Sequence, residues 1–183
     1  MTRWWLAGAI LAPMVAKAGD YDRPIFYLSG GKSWQILGSQ DLRNGYGLHV
    51  QFAKPDKRLS FRQNRAKLVW EGYYMHSTGG RPNRTDDIQT NLGVLAMGRF
   101  EQGQPGSARW YWEAGWGLQY ISRLGPDINL HFNSTPTFGA GYVIPMGSRE
   151  MWLGARYLHI SNGGFRKPNQ GQNWMQLLVG VKF

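Results

Sequence analysis

RWYWEAGWGLQY, residues 109–120, decides the fold. Taken at every second position, Trp110, Trp112, Ala114, Trp116, Leu118 and Tyr120 share one face. Arg109, Glu113, Gly115, Gly117 and Gln119 fall on the other. Side chains along a strand alternate between faces, so this is a strand period. The chemistry of the two faces is less ordinary. One is almost wholly aromatic or aliphatic, and the other combines glycine with isolated charges. A soluble sandwich would turn its aromatics inward. Here the glycine-and-charge face suits a narrow polar interior, and the tryptophan face an apolar surround. IQTNLGVLAMGRF, 88–100, repeats the pattern: Leu92, Val94, Ala96 and Phe100 alternate with Gln89, Asn91, Gly93 and Arg99.

The rest of the chain falls into similar stretches. Strands are expected near 24–35, 45–54, 65–76, 88–101, 108–120, 135–144, 150–161 and 172–183. After residue 18 no segment holds the 18 or so consecutive apolar residues of a membrane helix. Eight alternating strands with apolar outsides predict an all-β fold, an eight-stranded antiparallel transmembrane β-barrel of the outer membrane. A closed barrel also leaves no unpaired backbone in hydrocarbon. Glu71, Glu113 and Arg156 are then lumen residues. Inner turns at 102–106 and 145–149 are short, and a longer charged inner connection is expected around 55–64. Outer connections near 36–44, 77–87, 121–134 and 162–171 are generally longer, the usual asymmetry of such barrels. The terminal Phe183 resembles the assembly signal of outer-membrane barrels.

Bulk properties agree with export. The first residues, MTRWWLAGAILAPMVAKAGD, place Arg3 before an apolar run that ends in the small-x-small pattern Ala16-Lys17-Ala18. This reads as a signal peptide over 1–18, leaving 19–183 as a single barrel domain. The 183 residues include no cysteine, so no disulfide staples the chain. The net charge of +10 points, for an exported protein, to anionic lipid; no nucleic-acid partner is expected. Four scattered histidines and no acidic calcium loop imply no metal and no cofactor.

Candidate chemistry lies in HISNGGFRKPNQGQN, residues 159–173. With Arg156 in the lumen, alternation turns His159 and Ser161 outward at the outer end of their strand. Asn173 falls on the outward series of the next strand, with Met175, Leu177, Val179 and Val181. Polar groups facing hydrocarbon cost free energy unless paired. Pairing among these three would also give a nucleophile, its base and an orienting group. Hydration in the head-group zone is the alternative, and an H-x-S pair alone does not decide between them. His76 is adjacent to Ser77, so their side chains diverge. His49 and His131 show no convincing partner.

The block HISNGG…PNQGQN closely resembles the terminal block of the lipid A 3-O-deacylase family of outer-membrane barrels. The resemblance implies hydrolysis of the ester-linked 3-hydroxyacyl chain at position 3 of lipid A. By it Ser161 is the nucleophile and His159 the general base. The family's acidic member falls at Asn173, a departure. An amide can orient the ring but supplies no charge. The resemblance further assigns Asn162, Gly163 and Gly164 to the oxyanion hole. Arg166, Lys167 and Arg123, with Arg81 and Arg84, are candidates for lipid A phosphates. Lipid A and the surrounding outer-membrane lipid are the expected partners, with the site facing the outer leaflet; homodimer formation stays open. A non-enzymatic barrel and a lipid A acyltransferase are the competing readings.

Overall fold

The computed structural model describes residues 22–61, 64–80 and 87–183. The expected signal peptide and Arg81 and Arg84 lie outside these residues. Strands follow in the order β1 (Ile25–Trp34), β2 (Leu42–Phe61), β3 (Asn64–Gly80), β4 (Asp87–Gln102), β5 (Arg109–Ile121), β6 (Phe132–Ser134), β7 (Thr137–Met146), β8 (Arg149–Ile160) and β9 (Gln172–Lys182). All pair antiparallel with their neighbours. The sheet closes because β1 pairs with β9, from Ile25↔Lys182 to Trp34↔Asn173, while β4 pairs with β5.

Nine strands make eight barrel staves. β6 and β7 both pair with β5, at Leu118–Tyr120 and Arg109–Gly115 respectively, and so form one interrupted stave. The break falls at Thr135 and Pro136, where proline has no N–H to give the ladder. Its carbonyl still accepts from His159 N at 3.0 Å. The inner connection expected at 55–64 is instead mostly strand. β2 and β3 stay paired to Phe61↔Asn64, with a register shift between Lys54 and Arg58. A run of charged residues breaks the apolar alternation without ending the backbone pairing.

The two faces are as the alternation requires. Trp110, Trp116, Leu118 and Leu177 point outward and are exposed, Leu177 at 70%. In a bilayer that surface meets acyl chains. The lumen is filled by buried polar residues. Arg156 makes paired bonds to both oxygens of Glu71 (2.6 and 2.8 Å) and a third to Glu113 (2.6 Å). Arg99 binds the other oxygen of Glu113 and also Gln51. Two cations and two anions thus neutralise one another where an unpaired charge would be costly. Lumen glycines make room for tyrosines: a Cβ at Gly93 would lie 2.3 Å from the Tyr73 ring.

His49, without an evident partner in the sequence, sits inside this network. Its Nδ1 meets Glu71 Oε1 and its Nε2 meets Ser29 Oγ, both at 2.8 Å. Cross-strand pairing of β1, β2 and β3 brings these residues together, a proximity that linear spacing does not display.

Candidate active site

The C-terminal end of β8 and the N-terminal end of β9 carry the candidate site. Their ladder sets His159 opposite Asn173, and directly opposed side chains in an antiparallel pair are close enough to bond. His159 Nδ1 lies 2.7 Å from Asn173 Oδ1. Tyr157 donates its hydroxyl to the same oxygen at 2.6 Å. The amide's other end, Nδ2, donates to the Ile36 carbonyl at 2.9 Å. Although Asn173 has outward parity, it is fully buried, 0% exposed. Tyr157, His159 and the loop 35–41 cover it, so it does not face lipid directly.

That triangle fixes a proton. A backbone carbonyl only accepts, so the end of Asn173 facing Ile36 is its nitrogen. The end facing His159 is therefore the oxygen, and Nδ1 must carry the hydrogen. Nε2 is left with its lone pair, as a general base requires.

Ser161 follows His159 by two and shares its face. Its main chain is held by a bridge to β6: Ser161 N donates to Ser134 O at 3.1 Å, and Ser134 N to Ser161 O at 2.7 Å. Ser134 Oγ adds a bond to the same carbonyl at 3.0 Å. The Ser161 hydroxyl has no hydrogen bond with His159 or any other described residue. Resting catalytic contacts are commonly loose until substrate arrives.

The loop 161–171 is organised by Asn162. Its Nδ2 donates to Arg166 O at 2.7 Å, and its Oδ1 accepts from Gly164 N at 3.0 Å. Its own N–H donates to Asn169 Oδ1 at 2.7 Å. Of the three N–H groups assigned to an oxyanion by resemblance, those of Asn162 and Gly164 are thus engaged within the loop. Gly163 N–H has no acceptor among the described residues. Gly163 and Gly164 both have positive φ, 68° and 87°, which glycine adopts without strain.

Arg166 and Lys167 are exposed on this loop, beside Phe165 at 90% exposure. Arg123 is half committed elsewhere, with its Nε 3.0 Å from Asp87 Oδ1. His76 tilts against Tyr46, while Ser77 points into the lumen and donates to Gln89 O, so the two diverge as expected. His131 stacks on Tyr120.

Sequence reading missed Tyr157 and the Ile36 carbonyl as parts of the site, whereas Asn169 was expected, with Pro168 and Gly171, to shape this loop. Tyr157 was within reach, since it precedes His159 by two on the same outward face. A main-chain carbonyl from the first outer loop has no signature in the residue string.

A family model described as lipid A 3-O-deacylase (PagL) matches residues 40–182. Among solved structures the chain is similar to the crystal structure of the outer membrane enzyme PagL. The TM-score is 0.67 at 20% identity, covering 87% of this chain and 99% of that one. It is also similar to the crystal structure of Neisserial surface protein A (NspA), TM-score 0.60 at 16% identity, over 87% of this chain and 96% of that one. At those identities the structural likeness speaks for the fold, an outer-membrane barrel. No curated protein sequence matches. It is the family model, spanning most of the length, that carries the assignment: the chain belongs to the lipid A 3-O-deacylase (PagL) family and is an outer-membrane hydrolase of lipid A esters.

Proposed function

We propose that Ser161 is the nucleophile of the 3-O-deacylation, His159 its general base and Asn173 the group that orients the base. The observation that carries this is the 2.7 Å contact of Asn173 Oδ1 with His159 Nδ1, on the same face and one alternation from Ser161. It leaves the Nε2 lone pair without a partner among the described residues, on a ring two positions before the Ser161 hydroxyl.

The chemistry follows from those positions. Ser161 Oγ attacks the carbonyl carbon of the 3-hydroxyacyl ester, and its proton passes to His159 Nε2. Negative charge on the carbonyl oxygen is met by backbone donors at the start of the loop, with Gly163 N–H available and Asn162 and Gly164 shaping the turn. The bond to the sugar oxygen at position 3 then breaks, and that oxygen takes the proton from His159. Water, activated by the same imidazole, attacks the acyl-serine. This releases a 3-hydroxy fatty acid and returns the proton to Ser161.

The site opens on the outward surface, so lipid A enters from the outer leaflet without leaving the membrane. Arg166 and Lys167 are the candidates to meet its phosphates, with Arg123 a further contributor through the guanidinium nitrogens that have no partner among the described residues. Residues 1–18 are read as a leader removed on export.

A fluorophosphonate that traps activated serines tests the assignment. Labelling of the peptide containing Ser161, lost in His159→Ala, is the expected result. Label on another serine of the active, intact protein would overturn it.

A further inference from the structure

The first outer loop, residues 35–41, reaches the proposed site through the Ile36 carbonyl, and its turn is held from several sides. Ser39 N donates to Ile36 O at 3.0 Å, closing a four-residue turn. Leu37 and Gly38 stand at its centre with φ of 55° and 82°. Positive φ at both central positions is ordinary for Gly38 but strained for a leucine. The turn is also pinned from the third outer loop. Asp127 Oδ2 accepts from Ser39 Oγ (3.0 Å), Gln40 N (2.6 Å) and Asp41 N (2.7 Å). The carbonyl of Asp127 in turn accepts from Gly171 N at 3.1 Å, two residues before Asn173.

What this turn presents to the site is the Ile36 carbonyl. It accepts from Asn173 Nδ2 and so decides which end of the amide faces His159. An asparagine rotated by half a turn would offer N–H to the imidazole and favour the wrong tautomer. A carboxylate has two equivalent oxygens and no such ambiguity. An oxygen in place of Nδ2 would also confront the carbonyl of Ile36 with a like pole.

We propose that the first outer loop, held by Asp127, is a positioning element for this chain's amide-based site: it locks Asn173 through the Ile36 carbonyl and thereby holds His159 in the Nδ1–H form. The inference rests on the reading of Ser161, His159 and Asn173 as the working site. Asp127 and Leu37 are positioning residues; neither touches the substrate's reacting atoms.

The test exploits the difference between amide and carboxylate. Asp127→Ala releases the loop. Leu37→Pro forbids the positive φ at a position 73% exposed, and so spoils the turn without touching the barrel wall. Each change is made in the natural chain and in the Asn173→Asp background, with folding checked by heat-modifiable migration. In the natural chain each variant should lower kcat by about 10- to 100-fold with KM nearly unchanged, because most of the population then carries the wrong tautomer. In the Asn173→Asp background the same changes should cost less than about threefold, a non-additivity expected only of coupled groups. Equal losses in both backgrounds would overturn the proposal and leave the loop a general brace. Nitrogen-15 NMR of His159 in the folded barrel decides the matter independently of turnover. The Nδ1–H form in the natural chain, giving way to a mixture in either variant, supports the lock. The Nε2–H form in the natural chain overturns it. An inactive natural chain that still shows the first pattern would remove the assigned chemistry and retain the lock.

Discussion

By the resemblance of the 159–173 block, Asn173 stands where the family carries an acidic residue, and the two ends of its amide face opposite partners. Tyr157 and His159 meet the oxygen, and Ile36 O meets the nitrogen. The usual cost of such a replacement, about 10⁴ in rate for a serine protease, comes from the wrong tautomer. Here the amide oxygen faces His159 Nδ1 and the nitrogen faces Ile36 O, an arrangement that favours the Nδ1–H tautomer; what an amide lacks is the carboxylate's charge. Ser29, His49 and Glu71 supply a contrast at the same scale. Their bonds of 2.8 Å run serine to histidine to carboxylate, yet all three are buried in the lumen and Glu71 is saturated by Arg156. No ester in the outer leaflet reaches them. Ser29→Ala should therefore leave lipid A turnover within about twofold of the natural rate. It should lower barrel stability by about 1–3 kcal/mol, since His49 Nε2 loses its partner in the interior. Turnover and thermal unfolding of the same preparation check both. Alternation alone put His159 and Ser161 outward and Glu71 inward. It could not show that Asn173 is covered, because burial there comes from a loop that meets β9 only in three dimensions.

Among the elements, the return from the loop 161–171 into β9 sets the geometry most tightly. Gly171 has φ of 78°, and a Cβ there would lie 2.6 Å from Ile160 O and 2.7 Å from His159 Cε1. Gly171→Ala should strain the turn and push the imidazole out of line. Displacing a catalytic group by about 1 Å costs on the order of 10²-fold in rate, so kcat should fall by roughly that factor while heat-modifiable migration still reports a folded barrel. Unchanged kcat would mean that the ring is not held by this turn. The strands themselves were plain in the sequence wherever apolar and polar residues alternate, as in β4, β5 and β9. The interruption between β6 and β7 was not, because Pro136 breaks one ladder bond while β5 continues past it. The extended hairpin of β2 and β3 was read as a loop for the opposite reason: its run of charged residues breaks the apolar alternation although the backbone pairing continues.

The whole molecule is a small barrel with an ion-paired interior and an apolar outside. That arrangement leaves the rims of the barrel as the places where polar side chains and lipid meet. Two charged pairs, Glu71 with Arg156 and Glu113 with Arg99, seal the lumen, and the side chains that remain for function project outward or into the outer loops. Fold, membrane and substrate class follow from pattern and family; the loop contacts that complete the site do not, since they join residues as distant as Ile36 and Asn173. The most direct measurement is mass spectrometry of lipid A from an outer membrane carrying the intact protein, beside one carrying Ser161→Ala, with both barrels verified as folded. Loss of one 3-hydroxyacyl chain from position 3 with the intact protein alone, the variant falling by at least about 10³-fold, is the expected result. Equal deacylation by Ser161→Ala, or unaltered lipid A with both, would contradict the assignment of Ser161, His159 and Asn173.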